Sequence, residues 1–98
     1  MTSEISVTHN RARHRWEAWI GEDLAGFATY HRSEGVIDFR HTEVDPAFTG
    51  LGVGGILVRT ALDEVAEGAD RVVPSCPFVA EWMGRHPEYE HLTTSGAG

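Results

Sequence analysis

From His41 to Val58 the chain reads HTEVDPAFTGLGVGGILV, and this stretch leaves few choices of fold. Its first residues have the alternation of a strand end, its middle is the glycine-rich loop TGLGVGG, and its last residues enter an apolar helical pattern. A chain that runs from a strand through such a loop into a helix leaves unpaired backbone N–H groups at the helix N-terminus. The helix dipole makes that end attractive to anions. Glycines there can adopt φ > 0 and let a ligand come close to the backbone. The stretch between Val44 and Gly55 is therefore a candidate site for a phosphate-bearing small molecule.

The residues before the loop read as four strands. Glu4 to His9 alternates, with Ile5, Val7 and His9 on one face and Ser6 and Thr8 on the other. A turn at Asn10-Arg11-Ala12 leads into a second strand, Arg13 to Ile20, which places Trp16, Ala18 and Ile20 together. Gly21-Glu22-Asp23 and Ser33-Glu34-Gly35 are turns on either side of a third strand, Leu24 to His31. The fourth runs from Val36 to Val44. Short polar turns between strands at this spacing predict an antiparallel meander. Strict alternation along the fourth strand would put Ile37, Phe39, His41 and Glu43 on one face, apolar at its start and ionisable beside the loop.

Beyond the loop, Val53, Leu57, Ala61 and Val65 recur at i, i+4, and Val58 and Leu62 widen the stripe into a core-facing helix. Arg59 and Asp63 are spaced to pair on its polar side, and Gly68 is a stop signal. Arg71 to Pro74 supplies a fifth strand, parallel to the fourth because a helix joins them. Pro77 suits the first turn of a second helix to about Arg85, with Phe78, Val79, Trp82 and Met83 as its apolar side. His86-Pro87 ends it, and HPEYEHL adds a turn. The fold class is α/β (α+β): a four-stranded antiparallel meander, glycine loop and helix, parallel fifth strand and C-terminal helix. One domain is expected over residues 1–92, with residues 93–98 a disordered tail lacking apolar content.

Composition narrows the function. A net charge of -7 argues against nucleic-acid or anionic-membrane binding. All eight basic residues are Arg, and the chain has no Lys. The single Cys, Cys76, excludes an internal disulfide. No apolar run approaches the ~20 residues of a membrane span, and MTSEISV lacks the pattern of a signal peptide. A cytoplasmic monomer or small homo-oligomer is expected. His9, His14, His31 and His91 have no metal-ligand spacing with Cys76, so no metal site is expected.

The glycines also satisfy GxGxxG from Gly50 to Gly55, with Asp70 about 20 residues on. In a dinucleotide fold, however, the acidic residue ends the second strand, whereas Asp70 precedes the strand RVVP. The first four strands also have no helices between them. A nucleoside-triphosphate loop would need a following Gly-Lys-Ser/Thr, which is absent.

The meander, Asp45-Pro46, the loop TGLGVG, a helix, a strand and a further helix together resemble the general N-acetyltransferase (GNAT) superfamily. More narrowly, HTEVDPAFTGLGVGGILV with VVPSCPFVAEWMGRHPEY is similar to its small single-domain members. The resemblance covers roughly His41 to Tyr89. Gly52 and Gly54 match the superfamily's Gln/Arg-x-x-Gly-x-Gly/Ala loop. Thr49 stands where the Gln or Arg would be, which removes a long polar side chain near the pyrophosphate. The resemblance implies acetyl-coenzyme A as cofactor. The backbone of Thr49, Gly50, Gly52, Val53, Gly54 and Gly55 would hold the pyrophosphate, and backbone groups near Val44 would meet the pantetheine arm where the fourth and fifth strands splay.

Acetyl transfer to an amine needs a deprotonated amine, a polarised thioester carbonyl and a protonated leaving thiolate. His41 is a candidate base because imidazole titrates near neutrality. Glu43 is the alternative base, or orients His41, and the resemblance favours a carboxylate on this strand. Cys76, where the resemblance places a cysteine near the thioester, is a nucleophile or an acid, and a helix N-terminus would favour its thiolate. Tyr89 is a further proton source or a packing residue. The implied activity is N-acetyl transfer to an amine acceptor that the sequence does not identify. The alternative is a CoA-binding module without turnover.

Overall fold

The computed structural model describes residues 4–93. Over them the chain forms β1 (Ile5–Asn10), β2 (Arg15–Ile20), β3 (Asp23–Ser33), β4 (Val36–Val44), α1 (Val53–Ala66), β5 (Arg71–Pro74) and α2 (Pro77–Gly84), with 3-10 turns at Pro46–Phe48 and Pro87–Leu92. The strands form one sheet in the order β1-β2-β3-β4-β5. The first four are antiparallel, and β5 pairs parallel with β4 from Val36↔Arg71 to Phe39↔Pro74. The expected topology is borne out, and β4 and β5 have the expected bounds. The β3–β4 hairpin turns through Glu34 and Gly35 at φ 50° and 81°, the left-handed pair that a tight two-residue turn requires.

The helical stripe of α1 is buried as its spacing predicts: Val53, Leu57, Val58, Ala61, Leu62 and Val65 all face the sheet. They join Trp16, Phe39, Val72, Val79 and Trp82 in one core, so α1 and α2 cover the same face. Among the described residues no helix covers the other face. Two expected details differ. Arg59 and Asp63 do not pair directly but meet through Tyr89, whose hydroxyl donates to Asp63 Oδ1 at 2.6 Å and accepts from Arg59 Nη1 at 3.1 Å. Within the expected tail, Thr93 forms an isolated bridge with Val72, while residues 94–98 lie outside the described residues. None of the described helices is long and apolar enough to cross a membrane.

Close packing at Gly26 sets the β3–β4 spacing near the loop. A Cβ there would sit 2.7 Å from the Glu43 carbonyl oxygen and 3.3 Å from Val53 Cγ1. Because the first obstacle is backbone, Gly26→Ala is expected to cost about 1–3 kcal/mol, read from urea unfolding. A neutral result would mean that the strands separate freely here.

A half-buried polar tether joins β1 and β2 to α1. His9 Nδ1–H donates to Glu64 Oε2 at 2.8 Å, and Trp16 Nε1–H donates to Glu64 Oε1 at 2.9 Å. Burial pushes the Glu64 carboxyl up, but the hydrogen bonds from Trp16 and His9 and the charges of His9 and Arg11 outweigh it, so its pKa lies below the ordinary value. A depressed folded-state pKa gives stability that is present above the unfolded value and lost as pH falls through the folded one. The stability advantage of the native chain over Glu64→Gln is therefore expected to shrink as pH drops from about 5 toward about 3. Urea midpoints for both proteins across that range check it; a constant difference would refute the ionic contribution.

Candidate functional site

Two features converge at the end of β4. The first is the loop. Asp45 caps the short turn that follows β4, its Oδ1 accepting from the Ala47 N–H at 2.9 Å. Gly50 and Gly52 then take φ of 88° and 79°, which turns the chain into α1. Gly52 is the N-cap and has no side chain to satisfy the first helical amides. The N–H groups of Val53, Gly54 and Gly55 thus lie at an uncapped helix N-terminus, as the spacing predicts. Such a concavity suits a phosphate.

The second is an unpaired edge of β4. The pairing of β4 with β5 ends at Phe39, whose carbonyl accepts the Cys76 N–H at 2.8 Å. Beyond that point the 40–44 segment of β4 has no strand partner on its β5 side among the described residues. Cys76 is the N-cap of α2, just past this point, and Pro77 opens the helix. The notch between β4 and α2 therefore runs from Cys76 along this unpaired edge toward the glycine loop.

The predicted site residues do not all share one face. Thr29 opposes His41 and Tyr30 opposes Phe39, so Arg40 is an extra residue that bulges out of register. The bulge reverses the alternation. Ile37 and Phe39 stay in the core, whereas His41 and Glu43 align with Thr29 and Phe27 on the uncovered face. The expectation that all four share a face is corrected: a one-residue bulge moves every later side chain to the opposite side. Thr42 and Val44 take the core face instead. Val44 packs against the core, and the Thr42 hydroxyl lies 3.4 Å from Cys76 Sγ.

His41 and Glu43 do meet, with Nε2 3.1 Å from Oε1, and their side chains are about 60% exposed. Cys76 is only 3% exposed and belongs to the core. The structure thus brings His41 to Glu43 and Cys76 to Thr42 but places the two pairs on opposite faces. Thr49 ends the 3-10 turn, its N–H donating to Pro46 O at 3.3 Å. Tyr89 is buried and donates its proton to Asp63, and that bond, burial and the Asp63 charge raise its pKa, so it acts as packing between Pro87–Leu92 and α1.

Three side chains at the notch were not legible as site residues. Thr42 needed the bulge to be known. Asp38 lies next to Phe39, the last β4 residue paired with β5; hydrogen bonding from Ser75 and, secondarily, Arg40 lowers its pKa against the effect of burial. Phe78, expected on the apolar side of α2, is 39% exposed, its ring lying over Gly54, where a Cβ would come within 2.5 Å of Cζ. With Leu51 and Ile56, also exposed, it makes an apolar rim around the glycine loop.

Comparison with known proteins agrees with this geometry. The solution structure of a GCN5-like protein from Staphylococcus aureus superposes with a TM-score of 0.71, covering 94% of this chain and 90% of that one at 21% identity. Protein NATD1 of Xenopus tropicalis is 27% identical over 93 residues, covering 93% of this chain and 85% of the relative. Protein NATD1 of Bos taurus is 28% identical over 90 residues, covering 90% and 80%. The family model described as GCN5-related N-acetyl-transferase matches residues 15–92, the span from β2 through the last 3-10 turn. With its mixed sheet, unpaired β4 edge and glycine loop, the chain belongs to the GCN5-related N-acetyltransferase family.

Proposed function

We propose that the chain binds acetyl-coenzyme A in the notch between β4 and α2 and transfers its acetyl group to an amine. The observation that carries this reading is the convergence of the two features. Uncapped amides at Gly52 to Gly55 suit the pyrophosphate, and the unpaired edge of β4 from residue 40 to Val44 suits the amides of the pantetheine arm. The thioester would then lie near the end of the β4–β5 pairing, beside Cys76. In direct transfer the amine attacks the thioester carbonyl, a C–N bond forms, the C–S bond breaks and the thiolate takes a proton. His41, aligned by Glu43, is the base on the uncovered face, from which the amine approaches. In the two-step version the Cys76 thiolate attacks the thioester and CoA leaves as its thiolate; the amine then attacks the acetyl-cysteine, forming the C–N bond and releasing the Cys76 thiolate.

One observation favours a second reading, a CoA-binding module without turnover. Cys76 is buried, and its partner Thr42 and the His41–Glu43 pair project from opposite faces of β4. Intact mass spectrometry after incubation with acetyl-CoA separates the readings. Because the chain has no Lys, acetylation background is confined to the N-terminal amine. The two-step route predicts a hydroxylamine-labile acetyl adduct that Cys76→Ala lacks. Turnover of amine acceptors by a Cys76→Ala variant would support direct transfer, and a CoA complex without turnover would support the binding module. Absence of any CoA complex would overturn the proposal.

A further inference from the structure

A second cleft, of about 480 Å³, opens on the helix-covered face between the β1–β2 turn, the end of β3 and the last turn of α1. It lies away from the glycine loop, which stands at the opposite end of α1. Its floor is a chain of hydrogen bonds. Glu64 is acceptor-only, so His9 donates to it from Nδ1, and His9 Nε2 lies 2.6 Å from the Tyr30 hydroxyl. The His9 ring stacks on Trp16 with centroids 4.0 Å apart. On the walls, Arg32 donates to both Asp70 oxygens at 2.8 and 3.1 Å, and Arg11 reaches Glu64 at 3.4 Å. His14 closes the rim, its backbone left-handed at φ 54° and its ring edge-on to Tyr30 at 6.0 Å.

The balance of donors and acceptors indicates what this cleft would take. Glu64 accepts from His9, Trp16 and Arg11, and each Asp70 oxygen accepts from Arg32. The acceptors are largely used. The donors are not: each guanidinium has five N–H groups, and most of those on Arg11 and Arg32 are free. Their side chains are 78% and 57% exposed, and the His14 ring has no hydrogen-bond partner among the described residues. Both guanidiniums act on the same point. Burial raises the Tyr30 pKa, and the charges of Arg11 and Arg32 each pull it back. Holding β1 and β2 against α1 requires only His9, Trp16 and Glu64. Beyond their ion pairs with Glu64 and Asp70, Arg11 and Arg32 turn further N–H groups to a common opening in a chain whose net charge is -7.

We propose that this cleft binds a small oxyanion-bearing molecule, a phosphate monoester or a polycarboxylate, gripped by the outward N–H groups of Arg11 and Arg32 with His14 at the rim. Guanidinium forks match both oxyanions in bidentate geometry. Each carboxylate is paired with one cation, so the charges of these four side chains balance and the grip would come from the directed N–H donors rather than from net charge. This inference is independent of the acetyl-CoA reading.

The Trp16 indole N–H, bonded to Glu64 in the floor, is a built-in reporter. Proton–nitrogen NMR spectra would follow it during titration with phenyl phosphate and, separately, citrate, each at constant ionic strength set with chloride. A saturable shift is expected, with affinity at least about tenfold weaker in the Arg11→Gln/Arg32→Gln double variant. Both side chains are largely exposed, so this variant should keep the native melting transition, which a thermal scan checks. Saturation by phenyl phosphate alone identifies a phosphate ligand, by citrate alone a polycarboxylate, and by both a general oxyanion site. No saturable shift with either probe, or equal affinity in a folded double variant, overturns the proposal.

Discussion

Gly52→Asp is expected to weaken acetyl-CoA binding roughly 100-fold or more while leaving the chain folded. Gly52 is the left-handed N-cap of α1, at φ 79° and ψ 18°, and a Cβ there would meet nothing within 4 Å. Asp enters the left-handed region more readily than most residues and is a favourable N-cap, so the helix should survive. The carboxylate would, however, occupy the amides proposed to hold the pyrophosphate. It would also set a like charge against the phosphates, at a cost of about 4 kcal/mol at ~4 Å and an effective dielectric of ~20, less after salt screening. Calorimetric titration with acetyl-CoA, paired with a thermal melt, measures both halves of the prediction. Unchanged affinity in a folded variant would remove the glycine loop from the proposed site.

Phe39→Ala is expected to cost about 3–5 kcal/mol, a large part of the ~5–15 kcal/mol that holds a domain of this size together. Phe39 is 1% exposed, and its ring packs against Trp16 and Tyr30 with centroids 5.6 and 6.4 Å away. Its carbonyl also holds the Cys76 N–H at the point where the β4–β5 pairing ends. The cavity left by the ring would therefore loosen the strand whose position defines the proposed notch. Urea unfolding gives the loss directly. A cost below about 1 kcal/mol would mean that the neighbouring rings collapse into the space, which the close-packed core argues against.

Local chemistry made much of this molecule legible. The i, i+4 stripe of α1 needed no tertiary information, because a period near 3.6 with one apolar face has a single stable use in a small domain. Pro77 at the first turn of α2, the short turns of the meander and the parallel β5 following a helix are likewise properties of neighbouring residues. The glycine loop was legible for the same reason: Gly50 and Gly52 sit where left-handed backbone is required.

Side-chain direction past an irregularity is a different kind of information. Nothing in Phe39-Arg40-His41 announces a bulge, which arises from the register of β4 against β3 at Thr29 and Tyr30. That single extra residue decided that His41 and Glu43 face the uncovered side while Thr42 meets Cys76. Long-range partners were equally hidden. Tyr89 stands between Arg59 and Asp63 from 30 and 26 residues away, and His9 reaches Glu64 across 55. The sequence by itself determined the order of elements, the apolar faces and the uncapped glycine N-terminus, because these follow from propensity and period within a few residues. Only the tertiary structure decided which ionisable groups meet, because strand register and helix docking are set by packing the whole core at once.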